Sequence, residues 1–169
     1  MSEFVEVKLV GLVLDPISQS PVMVLKPFGD ERILPIWIGN AEANALTMEL
    51  ESISAPRPMT HDLLAELISR FQATLIQIEI ADVVEGTYFA HLVLENPAGE
   101  RISIDCRPSD AMILAQKFRV PVLVSTYVLK ASGEGLLVAG GLCQAQGLSD
   151  LFDCLAGQTQ PGEDPPLGH

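Results

Sequence analysis

Two aspartates, an arginine and a serine crowd one junction of the chain: Asp105-Cys106-Arg107-Pro108-Ser109-Asp110 separates the strand-like run Arg101 to Cys106 from the helix-like run Ala111 to Phe118. Charged groups beside apolar elements need partners, because desolvating one alone costs several kcal/mol. The junction is therefore either a polar clamp or a site. Alternation along residues 101–107 sets Ile102, Ile104 and Cys106 on one face and Arg101, Ser103, Asp105 and Arg107 on the other, so Asp105 and Arg107 can pair. Asp110 falls in the first turn of the next helix, where free backbone N–H groups favour an anion. The plainer reading is an Asp105–Arg107 pair plus a helix-start acid. The sharper one is a carboxylate cluster around a divalent cation, with Arg107 aimed at a phosphate.

A second constellation is Ala55-Pro56-Arg57-Pro58-Met59-Thr60-His61-Asp62. Two prolines fix the backbone around Arg57 and so position its side chain. His61 is a candidate proton shuttle or metal ligand and Asp62 its partner, against the plainer alternative of a hydrogen-bonded surface histidine and a helix-start acid. In a third element, Gly39-Asn40-Ala41-Glu42, Glu42 again sits in a first helical turn, and three such acids are also what dipole matching alone would produce. His91, on a strand between Phe89 and Val93, reads as structural. The chain has no glycine-rich phosphate loop, Gly-x-Ser-x-Gly elbow, paired-cysteine motif or His-Glu-x-x-His helix, so the common catalytic templates fail.

Composition narrows the classes. At 169 residues and 48% hydrophobic content the chain suits one globular domain with an appendage. No stretch approaches the roughly 18 apolar residues of a membrane span. The start, Met1 to Glu6, lacks the basic and apolar regions of a signal peptide, so a cytoplasmic location is the default expectation. Cys106, Cys143 and Cys154 fit neither a disulfide framework nor a zinc site and read as reduced thiols. The net charge is −12, and the 39 residues after Lys130 hold five acids and no base. A field of that sign repels phosphate backbones, so any nucleic-acid chemistry needs local arginines or a metal.

The elements that must position these groups read as α+β. Period-2 patterns over Val5–Leu9, Pro21–Leu25 and Arg32–Ile38 predict a three-strand meander, followed by a helix that Asn40 caps. Thr60 caps a second, amphipathic helix with Leu63, Leu64, Leu67, Ile68 and Phe71 in one stripe. A second meander follows over residues 76–107, then a third helix capped by Ser109 and apolar nearly all round, and a short final strand, Val120 to Ser125. The spacing of Arg32 and Asn40 matches that of Arg101 and Ser109, 69 residues later, which hints at an internal duplication. Residues 1–130 form the domain; residues 131–169 read as an acidic, partly disordered tail with a short helical stretch at Leu148 to Leu155.

Three blocks then resemble one known family. Leu34-Pro35-Ile36-Trp37-Ile38-Gly39-Asn40-Ala41-Glu42-Ala43, Pro56-Arg57-Pro58-Met59-Thr60-His61-Asp62-Leu63-Leu64 and Ile104-Asp105-Cys106-Arg107-Pro108-Ser109-Asp110-Ala111 look like the signature blocks of the bifunctional nucleases, over roughly residues 4–130. The chain departs from the usual pattern at Ser52, where glycine is common, and at Cys106, often alanine. The resemblance implies an α+β domain, hydrolysis of DNA and RNA, and oligomeric assembly. It carries Glu42, Arg57, His61, Asp62, Asp105, Arg107, Ser109 and Asp110 over as site residues. One expectation is that Glu42, Asp62, Asp105 and Asp110 hold Mg²⁺ or Mn²⁺, that Arg57, Arg107 and Ser109 bind substrate, and that His61 moves a proton. The rival expectation is a non-enzymatic oligomeric binding or regulatory module whose polar blocks form a salt-bridge network. Exposed strand edges favour self-association, with a dimer first in line.

Overall fold

The structure, a computed structural model, describes residues 3–133, 136–138 and 141–143. Strands form where the sequence alternates. β1 (Phe4–Leu14), β2 (Pro21–Pro27) and β3 (Leu34–Trp37) pair antiparallel in succession, and β4 (Thr74–Val84), β5 (Thr87–Glu95) and β6 (Arg101–Cys106) do the same. Val84 pairs with Thr87, leaving Glu85-Gly86 as a two-residue loop with both φ positive (50° and 78°), the geometry that matches strand twist in a tight hairpin.

The two meanders do not stand apart. β7 (Val122–Ser125) lies between them, antiparallel to β1 and parallel to β4, so one mixed sheet runs β3-β2-β1-β7-β4-β5-β6. α1 (Asn40–Leu50), α2 (Thr60–Arg70) and α3 (Pro108–Phe118) supply the helices between strands. α1 starts at Asn40 and α3 at Pro108, and β3 has four residues against six in β6, so the elements do not keep the 69-residue correspondence and duplication gains no support from them.

α3 is the keystone of the core. Ala111, Met112, Ile113, Leu114 and Ala115 are all buried, as its nearly all-round apolar sequence predicts, and pack with Ile78, Ile80, Leu92 and Leu94 of the sheet. Each such aliphatic side chain contributes about 1.5–3 kcal/mol on full burial. α1 packs on α3 and buries Ala43 and Leu46. α2 differs from its helical-wheel expectation: it buries no residue, and Leu63, Leu64 and Leu67 are exposed. Its contact with the rest runs instead through Ala65 and Ile68 and through the polar groups of its first turn.

α4 (Thr126–Gly133) follows β7 and carries the fold past Lys130. The Ser125 hydroxyl donates to the Ala81 carbonyl (2.8 Å) and accepts from the Val128 N–H (3.2 Å), which starts the helix directly off the strand. Beyond it, β8 (Leu136–Val138) and β9 (Gly141–Cys143) form a separate two-stranded sheet. The helical stretch expected at 148–155 and the disorder expected at the chain end lie outside the described residues.

Candidate active site

All three blocks end at helix starts, but the caps differ from expectation. The N-cap residues are Gly39, Met59 and Arg107, one or two positions before Asn40, Thr60 and Ser109, and none makes a side-chain cap. The acids take over part of that work. Asp62 Oδ2 accepts the Met59 N–H at 2.8 Å, and Pro108 occupies the first turn of α3, where its missing N–H costs nothing. Gly39 is required for a different reason: a Cβ there would fall on Glu42 Oε2, so only glycine lets that carboxylate fold back over its own helix start.

Folded back, Glu42 reaches α3. Arg107 Nη1 bonds Glu42 Oε1 at 2.8 Å, while its Nε and Nη2 donate to the two oxygens of Asp110 at 2.7 and 3.0 Å, a bidentate fork. Asp110 Oδ1 also receives His61 Nε2 from α2 at 2.9 Å. Glu42, Arg107, Asp110 and His61 thus form one continuous chain of contacts across the three helix starts. Partial burial alone would raise the Asp110 carboxyl, yet hydrogen bonds from Arg107 and His61 outweigh it and hold the group below the usual carboxylate range. Arg107 is correspondingly raised, first by Asp110 and then by Glu42. An ionised Asp110 can only accept, so His61 Nε2 must carry the proton and Nδ1 is the nitrogen left to take one up.

A second charged group was not foreseen. Lys117, two turns along α3, places Nζ 2.6 Å from both Glu49 Oε2 of α1 and Asp62 Oδ1 of α2. Hydrogen bonding from Lys117, with the Met59 N–H, holds Asp62 below its ordinary value. Lys117 lies between Gln116 and Phe118 in an apolar helix, and only the acids at 49 and 62, remote in sequence, reveal its role.

The remaining candidates lie elsewhere. Asp105 is three-quarters exposed, and its nearest cation is His91 at 4.0 Å across the β5–β6 pair. The Asp105–Arg107 pair is therefore replaced: Arg107 has left the strand alternation to become the N-cap of α3, where Asp110 meets it three residues on. Arg57 is exposed between its two prolines. Ser109 is buried, in the first turn of α3. As for a resident Mg²⁺ or Mn²⁺, the carboxylates do not fit one. Asp110 and Glu42 are engaged by Arg107 and His61, Asp62 by Lys117, and Asp105 stands apart; among the described residues no three acid, His or Cys groups converge on one point.

Two hollows flank the linked residues. One, of about 450 Å³, is walled by Met48, Ile53, Pro56, Met59, His61 and Lys117. The other, of about 370 Å³, is lined by Trp37, Gly39, Tyr88, Arg107 and Ser109. His61 faces the first, Arg107 the second, and Asp110 bonds both.

The family model for the bifunctional nuclease domain matches residues 23–135, which contain all three blocks. An uncharacterized protein of Mycobacterium tuberculosis is 37% identical over 128 residues, 76% of each chain. Bifunctional nuclease 1 of Oryza sativa subsp. indica is 29% identical over 129 residues, and bifunctional nuclease 1 of Arabidopsis thaliana 26% over 133, each alignment covering at least 75% of this chain. This chain spans only about two-fifths of those plant proteins, 38% and 41%. With the match covering most of the chain and every block inside it, the protein belongs to the bifunctional nuclease domain family.

Proposed function

We propose that the chain hydrolyses phosphodiester bonds of DNA or RNA at the ridge between the two hollows. The observation that carries this reading is the single contact path His61–Asp110–Arg107–Glu42, built from three sequence blocks in a chain whose family and plant relatives are named for nuclease activity. A strand crossing from one hollow to the other brings its phosphodiester past Arg107 and His61. Arg107, held by two carboxylates but still two-thirds exposed, offers its outer edge to the phosphate oxygens, where charge grows in the transition state. His61, oriented by Asp110, takes the proton of the attacking water at Nδ1 and returns it to the leaving oxygen. Neither role requires a broad basic face, which this acidic chain lacks; the positive charge is local.

The non-enzymatic module has its own support. Every acid in the site has a cation or N–H partner, the pattern of a structural network, and the net charge of −12 opposes a polyanion. Cleavage of single- and double-stranded DNA and RNA by the purified chain, with and without EDTA, beside His61→Ala and the remote control Glu66→Gln, separates the two. Cleavage lost in His61→Ala and kept in Glu66→Gln supports the nuclease. Equal cleavage in all three preparations indicates a contaminant and leaves the module standing.

A further inference from the structure

β6 ends the sheet. One edge bonds β5 through six uninterrupted register pairs, and among the described residues no strand pairs with the other. Natural proteins protect such an edge with proline, a bulge or an inward-pointing charge. β6 has none of these: its inward-facing residues are Ile102 and Ile104, which extend the row of Leu94 and Leu92 on the α3 side of the sheet yet remain 43% and 45% exposed. α2, which packs against α3, presents exposed Leu63 and Leu67 as well. The edge is thus long, flat and apolar on one face.

The other face carries a pattern that names its partner. Arg101 lies two residues before Ser103 and Asp105 two residues after, with isoleucine at both intervening positions. About Ser103 the strand is symmetric in shape and antisymmetric in charge. An antiparallel second copy centred there sets Arg101 opposite the partner's Asp105, Asp105 opposite the partner's Arg101, and Ile102 opposite the partner's Ile104. Directly opposed side chains in such a pair lie close enough to interact, and opposite charges there are favourable. Other registers lose this. With the axis at Ile102, Arg101 meets the partner's Ser103; with the axis at Ile104 it meets the partner's Arg107; in a parallel pair it meets its own copy.

We propose that β6 pairs antiparallel with β6 of a second copy of this chain about a two-fold axis at Ser103, joining the two sheets into one. Arg101 and Asp105 fix the register, and four isoleucines close the apolar face. This assembly does not depend on the nuclease reading, and it gives the exposed Asp105 a partner that the single chain does not supply.

Sedimentation equilibrium of the full chain over a concentration series tests it. The unaltered chain is expected to dimerise. Arg101→Asp sets acid against acid twice across the axis and Asp105→Arg sets base against base twice, so each raises the dimer dissociation constant by about 10- to 100-fold. The swap Arg101→Asp with Asp105→Arg restores the pairing and returns the constant close to its original value. Circular dichroism checks that each variant is folded, and Ile104→Lys, which charges the apolar face instead, is expected to dissociate the dimer by a separate route. A monomer throughout, a dimer indifferent to the single reversals, or a double swap that stays dissociated overturns the proposal.

Discussion

Lys117→Met removes one ammonium and strands two acids. In the wild-type chain Nζ lies 2.6 Å from Glu49 and from Asp62, with all three side chains only partly exposed, 19% for the lysine, 25% and 40% for the acids. A charge-assisted hydrogen bond contributes about 1.5–3 kcal/mol, and breaking a fully buried pair costs about 3–5 kcal/mol. Solvent reaches both acids and screens the loss, while methionine keeps the packing of the lysine stem. The net cost is about 2 kcal/mol, a fall in Tm of roughly 4–8 °C for a domain of this size. The pH dependence has a definite sign. Asp62 is depressed in the folded chain, so its contribution is present above its ordinary value of 3.8 and fades as pH falls through the lowered one. Lys117 is raised: burial opposes its charge, but Asp62 and Glu49 prevail, so its contribution is present below 10.5 and fades as pH rises through the higher value. Urea unfolding at pH 7 and pH 3 measures both limits. A deficit near 2 kcal/mol at pH 7 that shrinks at pH 3 is expected. Adding Glu49→Gln and Asp62→Asn to the variant should recover much of it, because the orphaned charges then vanish. Equal stability of Lys117→Met and wild type at pH 7, or a deficit that does not change with pH, refutes the staple.

Three further outcomes follow from the geometry. Gly39→Ala displaces the Glu42 carboxylate without backbone strain, so its activity and melting temperature should match those of Glu42→Gln; a Gly39→Ala protein behaving as wild type contradicts the close approach. Asp15 is buried and bonded to the Ile17 N–H, the Ser18 hydroxyl and Trp37 Nε1 at 3.0, 2.6 and 3.2 Å, so Asp15→Ala should cost about 3 kcal/mol in urea unfolding, and a loss under 1 kcal/mol would show the clamp to be idle. The Cys106 thiol is pushed up to about 12, by burial first and then by Asp110 and Asp105, so peptide mapping after alkylation at pH 8 should find it nearly unmodified in the folded chain; labelling at the rate of a free thiol speaks against that environment.

Much of this architecture is legible along the chain because it is local. Alternation reports both meanders, and the all-apolar run from Ala111 to Ala115 reports the buried helix. What escapes is long-range. Nothing near Val122 tells that β7 will separate β1 from β4, since pairing partners lie more than forty residues away. The stripe of α2 reads as a core face, but α3 already fills the sheet surface and leaves the stripe exposed. At the site the three blocks and four of their residues, Glu42, His61, Arg107 and Asp110, are visible in sequence because each marks a helix start. Strand alternation misassigned the partner of Arg107, because it stops applying once the residue becomes a helix cap. Lys117 is invisible for the opposite reason: it has no local signal, only two distant acids that the fold brings to it.

The claim that three blocks make one working site is tested most directly by cleavage rates of a double-substitution cycle at His61 and Arg107. A positioned general base or a charge-stabilising donor each contributes on the order of 10²–10³ in rate, and residues that act as a unit lose little more together than singly. His61→Ala and Arg107→Ala are each expected to lose most of the cleavage, and the double variant to be about as slow as the slower single. Full multiplication of the two losses, or cleavage at the wild-type rate in either single variant, contradicts the account.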